Sequence, residues 1–338
     1  MLSQRQRRVL SALIEEYVST ALPVGSNTLK SRHRLDVSSA TIRNELSHLE
    51  NEGYLLQPHT SAGRIPTDSG YRAFVDDLLQ HELAQEDAAD GEALRGLLES
   101  ARELDELYER TSAALAAMTD CLSVILPPSS LSLHILQITF VPLAPTRLSV
   151  VVVTETGQVL NRTAEFVEEV PVESVSYVQE LLNRLFARKT FVEMRESFDR
   201  EALEALSDPL VGILADEVFA CLSQNDQSRP HRLGAAALLN KPEFRDASSA
   251  VPIMRVVEDD SALADALETA AVQDGGTVVR IGGENEPEDM RGVSLVAEPY
   301  GLGSDEGVVA VIWPTRMDYQ KVIRAVRAAR AVLHDGTR

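Results

Sequence analysis

Residues 39–52, SATIRNELSHLENE, combine side chains that can hydrogen-bond to the edges of DNA bases. In a helix, Ile42, Leu46 and Leu49 fall on one face and belong to a core. The opposite face carries arginine and asparagine, which suit guanine and adenine, and hydroxyl groups that can reach phosphates. The candidate DNA-binding residues of this helix are Ser39, Thr41, Arg43, Asn44, Ser47 and His48.

A loop with the sequence PHTSAGRIPT, residues 58–67, follows this helix. Pro58 and Pro66 stiffen its two ends, and Gly63 and Arg64 are expected at its tip. For the helix alone, a solvated polar face on a structural helix is the competing interpretation, but the adjoining loop favours DNA binding. The tip with Arg64 is predicted to meet the DNA backbone or the minor groove, and His59 and Thr60 are further candidates to contact phosphates.

The elements that position these residues follow the order of a winged helix-turn-helix. Apolar residues recur at helical spacing in the first segment, Ser26 can cap the second, and Ser38 or Ser39 starts the third. The predicted segments are helices at 3–20, 26–32, 39–52 and 68–79, with a strand at 54–57.

The chain is acidic, with a formal charge of −20, but this charge is unevenly divided. Residues 1–75 hold nine Lys or Arg and seven Asp or Glu, so their net charge is +2. The remaining residues hold 23 basic and 45 acidic side chains, a net charge of −22. An acidic protein repels a polyanion as a whole, but the local placement of charge decides binding.

Several classes of protein are disfavoured by the composition. No apolar run approaches the roughly 20 residues that span a bilayer, and the N-terminus lacks the apolar core of a signal peptide. We therefore expect a cytoplasmic protein with no membrane partner. Cys121 and Cys221 lie in apolar helical patterns and are predicted to be buried free thiols. The histidines show no metal-ligand spacing, so no metal site and no cofactor are predicted.

The remainder of the chain alternates between strand and helix patterns. Residues 80–92 are acidic and aperiodic, which predicts a hinge. An apolar heptad from Leu94 to Ile125 predicts a long helix, either packed on its own domain or helping to pair two subunits. Residues 167–245 read as helical between strands, which suggests an inserted subdomain. The strand patterns lie at 133–141, 147–155, 158–167, 252–258, 276–282, 293–300 and 307–313.

Several of these stretches resemble the signature of the HrcA family of heat-inducible transcription repressors. The N-terminal ones are PVGSNTL (23–29), SSATIRNEL (38–46), LENEGYL (49–55) and QPHTSAGRIPTDSGYR (57–72). The C-terminal ones are LLNKPEF (238–244), IGGEN (281–285) and VVAVIWPTRMDYQKVI (308–323). The resemblance spans nearly the whole chain. One departure is Trp313, where the family usually carries glycine.

The resemblance implies a multidomain α+β fold: an N-terminal winged helix-turn-helix, and a GAF-like α/β domain with an inserted, mainly helical dimerisation subdomain. It also implies a homodimer that represses chaperone operons at an inverted-repeat operator in double-stranded DNA, kept active by the chaperonin GroE. The predicted boundaries are 1–79 for the winged-helix DNA-binding domain, 80–92 for the hinge, 93–166 with 246–338 for the GAF-like domain, and 167–245 for the inserted subdomain.

Two other classes of function are weighed against this one. A small-molecule-responsive winged-helix regulator is the alternative, because GAF-like sheets often hold ligands. GLGSDEG, residues 301–307, resembles a phosphate-binding loop only weakly and is interpreted as a hairpin turn. An enzyme is not expected, since no catalytic motif is found and the acidic clusters at 199–208 and 287–290 read as solvated surface.

Overall fold

The computed structural model describes residues 2–33, 35–59, 62–82, 96, 104–128, 134–155, 157–198, 210–224, 230–271, 276–302 and 305–336. The chain is a mixture of helices and strands, which confirms the predicted α+β class. Within these residues the α-helices, α1 to α12, are Gln4–Thr20, Ser26–Arg32, Ser39–Asn51, Asp68–Glu82, Leu104–Thr119, Val172–Phe186, Phe191–Ser197, Leu210–Gln224, Ala235–Leu239, Ala247–Glu258, Asp260–Ala271 and Tyr319–Gly336. The strands, β1 to β10, are Leu55–Leu56, Ile65–Pro66, Leu122–Leu126, Ile135–Ala144, Arg147–Thr154, Val159–Glu165, His231–Leu233, Val278–Ile281, Val293–Leu302 and Asp305–Pro314. No helix among the described residues is long and apolar enough to cross a membrane.

The four helices and the first strand predicted in residues 3–79 are confirmed, and a second strand, β2, lies within the predicted loop. Helix α1 begins with a capping box, in which Ser3 and Gln6 each accept a hydrogen bond from the other's backbone N–H. Helix α3 begins after Ser38, whose Oγ accepts a hydrogen bond of 3.1 Å from the Thr41 N–H. Strands β1 and β2 then pair antiparallel and bring the chain back towards α4.

Strands between residues 122 and 314 form a five-stranded sheet with the order β7-β3-β10-β9-β8. Strands β3 and β7 are antiparallel, as are β8 and β9. The middle strand, β10, is buried from Val308 to Trp313. Strands β9 and β10 are consecutive neighbours, so the segment 301–307 connects two paired strands, as its interpretation as a turn requires; residues 303–304 lie outside the described part.

A separate three-stranded antiparallel sheet has the order β4-β5-β6. Alternate residues of its strands face one side, where Ile138 and Phe140 lie opposite Val152 and Val150. These side chains form a hydrophobic core with α6, α7 and α8, and all members of this core lie between residues 135 and 222. The sheet and its helices therefore have a core of their own.

The chain divides into two compact units. The first comprises Met1–Ile125, Pro230–Pro299 and Val308–Leu333, and the second comprises Leu126–Arg229, Tyr300–Gly307 and His334–Arg338. These limits differ from the predicted limits of the inserted segment, 167 and 245, since β4 to β6 lie in the second unit. The sequence boundary was placed where strand patterns give way to helical ones, but a strand pattern does not reveal which sheet the strand joins. Residues 1–79 also share a unit with the five-stranded sheet.

The segment PIMRVVE, residues 252–258, is predicted as a strand but lies in helix α10. Its buried residues are Ile253, Val256 and Val257, which are three and four positions apart and so fall on one face of a helix. A short run rich in β-branched residues fits a strand equally well, and periodicity alone cannot decide between the two.

The long helix predicted from the heptad pattern is also shorter than expected. Asp120 has a left-handed backbone with φ of 56°, which ends α5. Leu122 and Ile125, the last positions of the heptad, lie in strand β3 instead. Most of the predicted hinge and the first heptad positions fall within 83–95 and 97–103, outside the described residues.

The strand pairing predicts where the second unit can be removed. Ile125 in β3 lies directly opposite His231 in β7, so a short Gly-Ser linker can join the chain across this pair. We expect a chain in which this linker replaces residues 127–229 to retain its sheet and to unfold cooperatively on heating, measured by circular dichroism.

The matched control is a chain lacking residues 167–245, the limits expected from the sequence. That deletion removes β7 and leaves β4 to β6 without α6 and α8, so their apolar face loses its cover. It should not unfold cooperatively. Cooperative unfolding of this control, or its loss in the first chain, would contradict the observed boundaries.

Candidate nucleic-acid interface

Helix α3 is held by one apolar face. Ile42, Leu46 and Leu49 are fully buried, and Glu45 beside them forms an ion pair of 2.6 Å with Arg5 of α1. Burying three aliphatic side chains of this kind stabilises the helix by about 1.5–3 kcal/mol for each. The rotation of α3 is thereby fixed, and its polar face points away from the core.

The first turns of α3 present the side chains expected to read bases. The side chains of Arg43 and Asn44 are exposed and form no hydrogen bond or ion pair with any other described residue. Ser39 and Thr41 are half-buried, and the Thr41 hydroxyl lies 2.9 Å from Ser38 Oγ, within the cap of the helix. Ser38 is not among the predicted site residues, although its capping role is readable from the sequence.

The later turns of α3 are more engaged within the protein. His48 Nδ1 lies 3.3 Å from Gln6 Nε2 and 3.4 Å from a Glu52 carboxylate oxygen, with the side chain 57% exposed. The Ser47 hydroxyl accepts a hydrogen bond of 3.2 Å from Arg64 Nη2. Ser47 therefore faces the loop between β1 and β2.

The expected place of Gly63 and Arg64 at the loop tip is wrong. Arg64 forms an isolated antiparallel bridge with Val24, with two backbone hydrogen bonds of 2.9 Å, so both residues lie at the base of the loop. A side chain at Gly63 would place its Cβ 2.5 Å from the Val24 carbonyl carbon, which is why only glycine fits there. The Ala62 N–H donates to the His59 carbonyl at 2.8 Å, so the turn lies around His59, which is exposed; Thr60 is outside the described residues.

The Arg64 guanidinium ties the loop to α3. Its Nε donates to a Glu50 carboxylate oxygen at 2.9 Å, its Nη2 reaches Ser47, and only 16% of the side chain is exposed. A charge-assisted pair shielded in this way fixes the loop against the helix. Arg64 is therefore placed to hold the loop and α3 together.

Comparisons with known proteins decide the family. A family profile described as HrcA protein C terminal domain matches residues 105–323. The chain is 34% identical to a heat-inducible transcription repressor HrcA from Acetivibrio thermocellus, over 99% of this chain and 96% of that protein. It is 36% identical to the protein of the same name from Frankia casuarinae, over 97% of this chain and 96% of that protein. This chain belongs to the HrcA family.

The fold is also shared with a solved structure. A crystal structure at 2.2 Å of a protein described only as hypothetical matches this chain with a TM-score of 0.65 and 24% sequence identity, covering 100% of this chain and 99% of the other. The HrcA resemblance inferred from the motifs is confirmed by the family profile and the relatives. Trp313, which stands where that resemblance expects glycine, is buried with Lys241 Nζ 4.5 Å from the centre of its ring.

The basic side chains near α3 divide into paired and unpaired groups. Of the nine in residues 1–75, those in ion pairs are Arg5, Arg7, Arg32, Arg64 and Arg72. Arg34 lies outside the described residues. Within the described part of this segment, the cations without an ion pair are Arg8, Lys30 and Arg43. Sequence reasoning missed Lys30, an exposed lysine on the helix before α3, where helix-turn-helix proteins approach the DNA backbone.

Both cysteines are buried free thiols, which confirms the prediction. Burial raises the pKa of Cys121 to about 12, so this thiol stays protonated near neutral pH. In the described part of the chain, no three His, Cys, Asp or Glu side chains are grouped as a metal site requires.

The contacts of Arg64 predict a local effect of its removal. Arg64→Ala leaves Glu50 unpaired and should weaken the base of the loop by about 1 kcal/mol. The Val24 amide, which donates to the Arg64 carbonyl, should then exchange its hydrogen about fivefold faster. Hydrogen exchange read by mass spectrometry or NMR measures this. Arg43→Ala is the matched control and should leave Val24 unchanged; equal rates in both variants would show that the Arg64 side chain does not hold the loop.

Proposed function

We propose that this chain is a DNA-binding repressor of heat-shock chaperone operons, and that residues 1–79 form its winged helix-turn-helix. The observation that carries the proposal is the exposed, unpartnered pair Arg43 and Asn44 on the leading turns of α3. Those turns are the part of a recognition helix that enters the major groove. Membership of the HrcA family, whose relatives are named heat-inducible transcription repressors, supports it.

Each polar group of this surface has a role in the proposed complex. Arg43 donates two hydrogen bonds to guanine O6 and N7, and Asn44 bonds to adenine N6 and N7. Ser39, Thr41 and the N-terminus of α3 face phosphate, as a helix N-terminus favours anions. Contacts with the DNA backbone come from Lys30 and from the wing, which is the loop between β1 and β2, through His59 and Thr60. Ser47 and Arg64 act chiefly by joining the wing to α3, and His48 lies at the margin of the surface.

We also propose that the protein is a homodimer on an inverted-repeat operator. One winged helix covers one half-site, and a net charge of +2 in residues 1–75 gives little non-specific affinity. When two winged-helix domains are joined in one dimer, binding of the first raises the effective concentration of the second at the other half-site. We assign dimerisation to the second compact unit, which we call the inserted unit. We assign the five-stranded sheet and its helices to the GAF-like domain.

The chaperonin GroE is the proposed partner that keeps the repressor active. Strands β3 and β7 pair although residues 127–230 separate them in the sequence. The five-stranded sheet is therefore complete only when the two ends of this long segment have come together. Non-local pairing of this kind slows folding and leaves apolar surface exposed in intermediates. Chaperonins bind such surface, which gives a physical reason for the dependence.

We place the protein in the cytoplasm and assign it no catalytic role. A small-molecule regulator is the second candidate, which the names of the relatives do not favour. The cavity between α10, α11 and residues 280–295 has a volume of about 240 Å³. A second cavity of about 400 Å³ lies beside α4, and its lining includes Arg72 and Glu284, which pair with each other.

A footprint on the chain's own genomic promoters tests the proposal, with two protected half-sites related by a dyad as the expected result. On that operator, we predict that Arg43→Ala and Asn44→Ala each weaken binding by about 1–3 kcal/mol, because each removes a bidentate base contact. Binding to unrelated DNA should change little. Fluorescence anisotropy with operator and scrambled duplexes measures both affinities.

Two variants serve as controls. Asn51→Ala removes an exposed amide from the C-terminal end of the same helix and should leave operator affinity unchanged. Lys30→Gln should weaken operator and scrambled DNA alike and reduce the salt slope by about one. Wild-type operator affinity in Arg43→Ala or Asn44→Ala would remove that residue from the base-reading set, and the lack of any footprint would reject the proposed function.

The chaperonin dependence gives a separate prediction. After dilution from denaturant, we expect few chains to bind operator DNA and the active fraction to rise when GroE and ATP are added, because the β3–β7 pairing forms late. Titration with operator DNA counts active dimers directly. Full spontaneous recovery without GroE would contradict this part of the proposal while leaving DNA binding intact.

A further inference from the structure

Helix α4 is bound to the loop that follows strand β8. Arg72 Nε donates to a Glu284 carboxylate oxygen at 2.8 Å, and its Nη2 donates to the other Glu284 oxygen and to the Val279 carbonyl at 2.6 Å. Glu284 also accepts the Ile281 N–H at 2.9 Å, which fixes its carboxylate. The Arg72 side chain thus makes a two-pronged contact with one carboxylate, the geometry in which arginine binds most specifically.

The first turn of α4 adds a second contact with the same loop. The Gly283 N–H donates to Asp68 Oδ2 at 3.0 Å. Gly282 has a left-handed backbone with φ of +54°, and a Cβ at this position would overlap the Asp68 carboxylate. The loop therefore has a backbone shape that favours glycine, and it is matched to the N-terminus of α4.

Helix α1 is held at another place by Arg316. Its Nη1 donates to the Val18 carbonyl in the last turn of α1 at 2.9 Å, and its Nε donates to Glu243 at 2.8 Å. Only 16% of the Arg316 side chain is exposed. Between the two arginines, the rings of Tyr71 and Tyr319 lie 5.7 Å apart, and both side chains are buried.

We propose that these contacts form an orientation clamp, in which Arg72 and Arg316 are positioning residues that set the direction of α3 without touching DNA. The clamp joins the head, residues 4–82, to the five-stranded sheet at two helices. One attachment would leave the head free to rotate, whereas two attachments fix it. This inference rests on the proposed function, because a fixed direction matters when two heads must meet two half-sites of one operator.

The clamp lies apart from the residues that fold the head and from those proposed to read bases. Ile42, Leu46 and Leu49 hold α3 whether or not Arg72 is paired. A broken clamp therefore leaves each head folded and able to bind a half-site. It lowers the affinity for the complete operator, because the second head is no longer aimed at its half-site.

The experiment uses charge reversal in the full-length protein. Arg72→Glu places two carboxylates against each other, and adding Glu284→Arg restores an opposite pair. Each protein is titrated with a single half-site, with the operator, and with operators whose spacer is longer or shorter by one base pair, which rotates one half-site by about 35°. Light scattering verifies that every variant has the same oligomeric state.

The wild type should favour the natural spacer. Arg72→Glu should bind the natural operator about tenfold more weakly, respond less to the spacer, and keep the half-site affinity, and the double variant should regain the wild-type pattern. A purely structural defect would lower half-site and operator binding together. Unchanged operator affinity and spacer preference in Arg72→Glu would overturn the clamp.

A measurement without DNA separates this inference from the proposed function. Spin labels at Asn51→Cys in α3 and Glu258→Cys at the end of α10 occupy exposed positions, whereas Cys121 and Cys221 are buried. In dimers that pair one labelled with one unlabelled chain, the clamp predicts one narrow distance in the wild type, a broad distribution in Arg72→Glu and a narrow one again in the reversed pair. A narrow distance in Arg72→Glu would overturn the clamp even if the wild type bound no operator.

Discussion

The pairing of β3 with β7 is the constraint on which the rest of the structure depends. Val124 lies opposite Arg232, and the Ser112 hydroxyl supports the pair by lying 3.0 Å from Ser123 Oγ and 3.4 Å from the His231 carbonyl. The two backbones also lie close together at Gly234, since a Cβ there would lie 2.5 Å from the Cys121 carbonyl oxygen. The chain leaves the five-stranded sheet after β3 and returns at β7. The inserted unit can therefore hold a core of its own while the sheet stays complete, because the chain leaves and returns at two strands that pair with each other.

The N-terminal segment could be predicted almost entirely because its signals are local. Ile42, Leu46 and Leu49 repeat at the helical period, Ser38 supplies a cap, and Gly53 ends the helix with φ of +82°. These choices agree with one another, and agreement between propensity, capping and periodicity is what makes an assignment secure. The exposed face of α3 could be predicted as well, because the buried face of a helix determines which residues lie on the opposite face.

What could not be predicted depends on partners distant in sequence. The Arg64 side chain looked like a free loop cation, yet Val24 determines its backbone position and Glu50 takes up its charge. Strands β4 to β6 have clear strand patterns, but their separate sheet follows from packing against helices that come later in the chain. The Arg72 contact with Glu284 joins residues 212 positions apart, and two charged residues at such a distance give no signal in a single sequence.

The charge of the chain links these features to the way it would bind DNA. Of the eight basic side chains that the structure describes in residues 1–75, five are ion-paired within the protein, and the rest of the chain carries −22. A protein with so few free cations gains little from counterion release and holds weakly to DNA of arbitrary sequence. In the proposed dimer, the affinity for the operator then comes from base contacts made at two half-sites together. Simultaneous contact demands that both recognition helices point in set directions, so an acidic repressor has more need of a rigidly held head than a basic one has.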